Sequence, residues 1–147
     1  MKRRGLQLSR RHRLLLYFVC LLLFVSGASW AWAQRLDYLG EASEALRSWK
    51  HFFLKVHGYS AAGFVLLLGG IISGHVRRSW HAHKNRLNGA FFLTSVAVLT
   101  ITGYMLYYVG GETLRDVVSQ THLWLGLASP FILFWHIWSG RKSTGRK

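Results

Sequence analysis

The chain has one cysteine, Cys20, and one proline, Pro130. A single cysteine excludes a disulfide framework and a paired-thiolate metal site, so Cys20 reads as a small buried hydrophobe. Pro130 falls inside a long apolar run, where a helix kink is tolerable within a bundle. Acids are scarce too: five Asp and Glu stand against nineteen Lys and Arg, for a net charge of +14. None of the five lies in an apolar run, which argues against a carboxylate-lined path for cations through a membrane.

Apolar and aromatic residues are abundant. The chain is 51% hydrophobic, with seven Trp, nine Phe and six Tyr, which is too apolar for an ordinary soluble domain of 147 residues. Four runs, 14–33, 56–76, 89–109 and 121–138, each approach the roughly 20 residues that cross a bilayer as a helix. Helices are the default there, because lipid offers no partner to a bare backbone amide. The expected fold is therefore all-α: an integral membrane four-helix bundle, one membrane domain over 1–147, with helices at about 14–33, 56–76, 89–109 and 121–139. Between the first two runs, Leu36, Leu39, Leu46, Trp49 and Phe53 recur at roughly helical spacing among charges. That pattern predicts an amphipathic helix over 36–53, lying on the outer membrane surface or docking a partner. No internal repeat is strong enough to use.

Basic residues are unevenly placed. The segment 1–13, the loop after the second run and the C-terminal tail hold fourteen Lys and Arg and no acid. All five acids lie in the other two loops, beside Arg35, Arg47, Lys50, Lys55 and Arg115. The positive-inside rule then puts both termini of a multi-pass membrane protein in the cytoplasm. Splitting the charge over short membrane-flanking segments points to topology and anionic lipid headgroups rather than to nucleic acid. The N-terminus also has the shape of a secretory signal, with Ala31-Trp32-Ala33 before Gln34 as a small-x-small site. Trp30 and Trp32 argue for a retained helix with an interfacial aromatic belt. The later helices keep their orientation in either case.

Eight histidines remain to be explained. His12, His51, His81 and His83 fall in polar flanks, where solvation is the default. His57, His75, His122 and His136 sit at or inside the ends of apolar runs, where ionisable groups are costly and usually functional. The second and fourth runs cross in the same direction. His57 and His122 then lie near the outer surface, and His75 and His136 near the inner one. Two imidazole pairs at two depths are what six-coordinate b-type haems require, and facing helices of a bundle can supply them. The lengths match imperfectly. Eighteen residues separate His57 from His75, a rise of about 27 Å, and fourteen separate His122 from His136, about 21 Å and about 40° out of phase. If tilt or a kink at Pro130 does not absorb the difference, His12, His81 or His83 substitutes at the inner site. Ala61, Gly70, Gly74, Gly103 and Gly126 offer room for a porphyrin, although each read singly is a helix-packing residue. Arg78, Lys84 and Arg86 are candidate partners of inner haem propionates, although topology already explains them, and Arg115 of outer ones, although a solvated loop cation is the plainer reading. No Cys-x-x-Cys-His motif for covalent haem attachment occurs.

At these residues the chain resembles the di-haem membrane cytochrome b superfamily. That superfamily includes the small four-helix cytochromes b and the cytochrome b subunits of formate dehydrogenases and nickel-iron hydrogenases. The likeness rests on His122 and His136 fourteen apart on one helix, on "HGYSAAGF" at 57–64, and on "TGYMLYYVGGETLR" at 102–115 leading to "SQTHLWLG". It covers about 56–141. In the dehydrogenase-type subunits the first helix commonly supplies a ligand; here that helix has only His12, at its edge, which leaves the fourth ligand between His75 and His12. The resemblance implies electron transfer through haem b, commonly between a quinone pool and a partner protein. The expected function is thus a membrane electron carrier with two bis-histidine b-type haems, His57 with His122 and His75 with His136. It would act as a subunit of an oxidoreductase rather than as a complete enzyme, and its partners would be membrane lipid, a quinone and a redox protein on the periplasmic or membrane side. A cofactor-free accessory or assembly subunit is the alternative, and a metal-ion transporter a third reading.

Overall fold

The computed structural model describes residues 9–72, 76 and 86–143. They form four helices and no strand: α1 (Arg10–Tyr38), α2 (Glu44–Ile71), α3 (Arg86–Tyr108) and α4 (Glu112–Ser143). All four are long and apolar enough to cross a membrane. Even α3, at 23 residues, is about 35 Å long, more than the hydrocarbon thickness of a bilayer. Each helix contains most of an expected apolar run and continues beyond it into polar sequence. The chain divides into two units, Met1–His75 and Val76–Lys147. In the first, α1 packs on α2; in the second, α3 packs on α4.

The first hairpin turns where its sequence has turn chemistry. Ser9 caps α1, its hydroxyl accepting from the His12 amide at 3.3 Å. At the other end Gly40 takes φ +75°, its N–H bonds the Asp37 carbonyl at 3.1 Å, and the Glu41 N–H bonds the Leu36 carbonyl at 3.0 Å. Those two bonds make a Schellman ending, which needs a left-handed residue that glycine adopts without a Cβ clash. Ser43 then caps α2 through the Leu46 amide at 3.2 Å, and Glu44 suits the positive end of the helix dipole. Asp37 ties the two ends together, accepting from Arg47 at 2.9 Å and from Lys50. The Lys50 hydrogen bond, with Arg47 adding to it, holds the Asp37 carboxyl below its ordinary value of 3.8, against a partial desolvation that acts the other way.

The separate amphipathic helix expected over 36–53 is not formed. Residues 36–38 are the last turn of α1, 39–43 the turn, and 44–53 the opening of a continuous α2. Ser43 starts the helix and no Gly or Pro interrupts 44–57, so backbone hydrogen bonding carries through to the apolar run.

In the second hairpin, Val109, Gly110 and Gly111 join α3 to α4. The Arg115 guanidinium reaches back to the Leu106 and Val109 carbonyls at 3.0 and 3.3 Å. It caps carbonyls that the end of α3 leaves unbonded, which gives Arg115 a structural role. Pro130 interrupts the hydrogen-bond ladder inside α4, since it has no N–H to give the Gly126 carbonyl. Ser129 Oγ donates to that carbonyl instead, at 2.7 Å. The side chains buried in these hairpins are small: Ser26, Ala33, Ser95, Thr102 and Val118. Large apolar side chains such as Leu66, Leu87 and Phe131 are exposed. Small residues between close-packed helices and large apolar ones outside suit a chain surrounded by lipid.

Candidate functional site

In the first hairpin, His57 of α2 lies against α1. Its Nδ1 is 3.0 Å from the Leu23 carbonyl oxygen and 3.3 Å from Ser26 Oγ. A carbonyl can only accept, so Nδ1 carries the proton and Nε2 carries the lone pair. Ser26 donates its own proton to the Leu22 carbonyl, so its oxygen accepts from the imidazole. Ser26 is only 3% exposed, and its neighbour Gly27 provides the space. A Cβ at position 27 would stand 2.9 Å from His57 Cε1 and 3.1 Å from Nδ1.

The second hairpin repeats the device. His122 of α4 has Nδ1 3.0 Å from Thr102 Oγ1 on α3. Thr102 donates to the Val98 carbonyl at 2.7 Å, so it too accepts from an Nδ1–H. Gly103 follows, and a Cβ there would stand 3.1 Å from His122 Cε1. Each hairpin therefore carries a hydroxyl–glycine pair on its first helix and an imidazole pressed onto that pair from its second. The hydroxyls bond back to the preceding helical turn, which fixes them as acceptors.

Further along the second hairpin, His136 has Nδ1 2.7 Å from Asn88 Oδ1 and stacks on Phe92, with ring centroids 4.7 Å apart at 16°. Asn88 precedes Thr102 by fourteen residues, and His136 follows His122 by fourteen. The helices are antiparallel, so the two contacts lie about 21 Å apart along them. In the first hairpin, His12 precedes Ser26 by the same fourteen residues. It stands inside the first turn of α1, with Nδ1 2.8 Å from Ser9 Oγ. His75, the expected inner ligand on α2, lies outside the described residues, as do His81, His83, Gly74, Arg78 and Lys84.

Comparison with protein-family models, with curated proteins and with solved structures gives no match. The assignment of chemistry therefore rests on the side chains themselves. Among the described residues, no three His, Cys, Asp or Glu side chains group as a metal-ion site. What the hairpins hold are imidazoles whose Nδ1 already meets a protein oxygen, the arrangement that presets the tautomer of a histidine ligating through Nε2.

Sequence reasoning singled out His57, His122 and His136 but missed Ser26, Gly27, Thr102, Asn88 and Phe92. A signal was present. Ser-Gly at 26–27 and Thr-Gly at 102–103 are the same small dipeptide pattern, one in each hairpin's first helix. Gly103 was among the glycines offered as room for a porphyrin; its Cβ space is taken by the His122 ring instead. Gly126 and Gly70 differ, for a Cβ on Gly126 meets Leu99 at an ordinary 3.9 Å and one on Gly70 meets nothing within 4 Å.

Proposed function

We propose that the protein is a membrane electron carrier holding two b-type haems, each ligated by one imidazole from each hairpin. His57 and His122 would hold the outer haem. His136 and a histidine of the first hairpin would hold the inner one. The observation that carries this reading is the repeated setting of His57 and His122, each with Nδ1–H bonded to a buried hydroxyl and its ring seated on a glycine. A buried imidazole needs a partner for its N–H in any role, and placing that partner on Nδ1 in both hairpins is the arrangement in which Nε2 would serve as the ligating nitrogen. A porphyrin brings its own four nitrogens, so two imidazoles suffice and no larger ligand cluster is required.

For the inner haem the sequence offers His75 or His12 opposite His136. The rise favours His12. It lies fourteen residues from Ser26, matching the fourteen between His122 and His136, both about 21 Å, whereas eighteen residues separate His57 from His75 in the sequence. His12 is also inside α1 rather than before it. When bound, haem b supplies an iron that cycles between ferrous and ferric. With imidazoles as both ligands such a haem would carry electrons rather than bind oxygen, and the chain's own residues would orient those imidazoles and surround them with apolar helix. The protein would sit in the bacterial inner membrane with both termini cytoplasmic, exchanging electrons with a quinone and a redox partner protein.

Purified full-length protein, reduced with dithionite, is expected to give a b-type α-band and, by pyridine haemochrome, about two haems per chain. A colourless preparation that remains helical and monodisperse would overturn the electron-carrier reading in favour of a cofactor-free accessory subunit.

A further inference from the structure

The hydroxyls of Ser26 and Thr102 hold their imidazoles in unequal ways, and that inequality has an electronic consequence if those rings ligate iron. His57 Nδ1–H meets two acceptors, the Leu23 carbonyl at 3.0 Å and Ser26 Oγ at 3.3 Å. His122 Nδ1–H meets the Thr102 hydroxyl at 3.0 Å. At His57 the Leu23 carbonyl belongs to the helix and stays when Ser26 is replaced, and the Ser26 contact is the longer of the two.

We propose that Thr102 is the positioning residue that sets the reduction potential of the outer haem through His122, with Ser26 a weaker counterpart acting through His57. This rests on the proposed haem ligation by those two histidines. An acceptor on Nδ1–H moves electron density toward Nε2 and makes the imidazole a stronger donor. A stronger donor stabilises the ferric state and lowers the potential. Each hydroxyl is suited to this task because its own proton is committed to the preceding turn: Thr102 to Val98, Ser26 to Leu22. Each oxygen therefore faces its imidazole as an acceptor.

The test is redox titration of full-length Thr102→Val, Thr102→Ser and Ser26→Ala, with the outer haem identified as the component that His122→Ala removes. Thr102→Val keeps the shape and deletes the acceptor. The expected result is wild-type haem content, a raised midpoint potential for the outer haem alone, and an altered low-spin ferric electron paramagnetic resonance signal. Thr102→Ser should restore the wild-type potential. Ser26→Ala should shift the same haem upward by less, because the Leu23 carbonyl remains. Loss of the outer haem from Thr102→Val but not from Thr102→Ser also supports a positioning hydroxyl. An unchanged potential in Thr102→Val with haem intact overturns the proposal, as does equal haem loss in both Thr102 variants. A larger shift from Ser26→Ala than from Thr102→Val overturns it too. Each of these outcomes leaves haem binding itself standing. Wild-type protein without haem removes both readings together.

Discussion

His122→Ala is expected to lower the haem content from about two per chain to about one, with the surviving haem retaining its own potential and α-band. The expectation follows from how His122 and His136 are held. They share α4, but fourteen residues separate them and different α3 residues support them: Thr102 and Gly103 for one, Asn88 and Phe92 for the other. Removing the first imidazole leaves the second contact, about 21 Å away, untouched. The helix itself tolerates alanine, the best helix former. Helical content should therefore stay near wild type. Loss of both haems from a folded variant would mean that the two sites are not independent. Retention of both would mean that His122 is no ligand.

The second large effect is expected at Gly27. A Cβ there would meet the His57 ring at 2.9 Å, closer than real Cβ contacts come. The ring is the far end of a side chain, so Gly27→Ala would push it aside rather than break the hairpin. That displacement separates Nδ1 from the Leu23 carbonyl and misdirects Nε2. Gly27→Val adds two methyl groups in the same space, and overpacking of this kind costs about 1–3 kcal/mol. The expected result is near-complete loss of the outer haem in Gly27→Val with the inner one retained. Partial loss is expected in Gly27→Ala, and less again in Gly103→Ala, where the corresponding distance is 3.1 Å. Gly126→Ala and Gly70→Ala serve as controls and should leave both haems in place, since a Cβ meets ordinary contact at one and open space at the other. Haem quantification across these variants checks the order.

The four helices were legible because lipid imposes a single rule on backbone, and hydropathy over about 20 residues reports it. Their ends were less legible. Hydropathy stops where the apolar run does, whereas Ser9, Ser43 and the Schellman turn at Gly40 bound the helices themselves. The segment 36–53 was misjudged for the same reason: its amphipathic spacing is real, but α2 runs through it without a break. The histidines were visible because a titratable group in an apolar run is conspicuous. Their supports were not. Ser26 stands 31 residues before His57 on another helix, and Ser-Gly within an apolar run reads as packing until the ring is seen against it. The equal fourteen-residue steps at 12–26, 88–102 and 122–136 were in the sequence, yet they acquire meaning only once Ser26 and Thr102 are known to touch His57 and His122.

The claim on which the rest depends is that His57 and His122, one from each hairpin, serve a single iron. Haem content and redox titration of His57→Ala, His122→Ala and the double variant test it directly. If the two imidazoles share a haem, each single variant loses the same spectroscopic and redox component, and the double variant loses nothing more. Loss of different components from the two single variants, or loss of both haems only in the double variant, would contradict it.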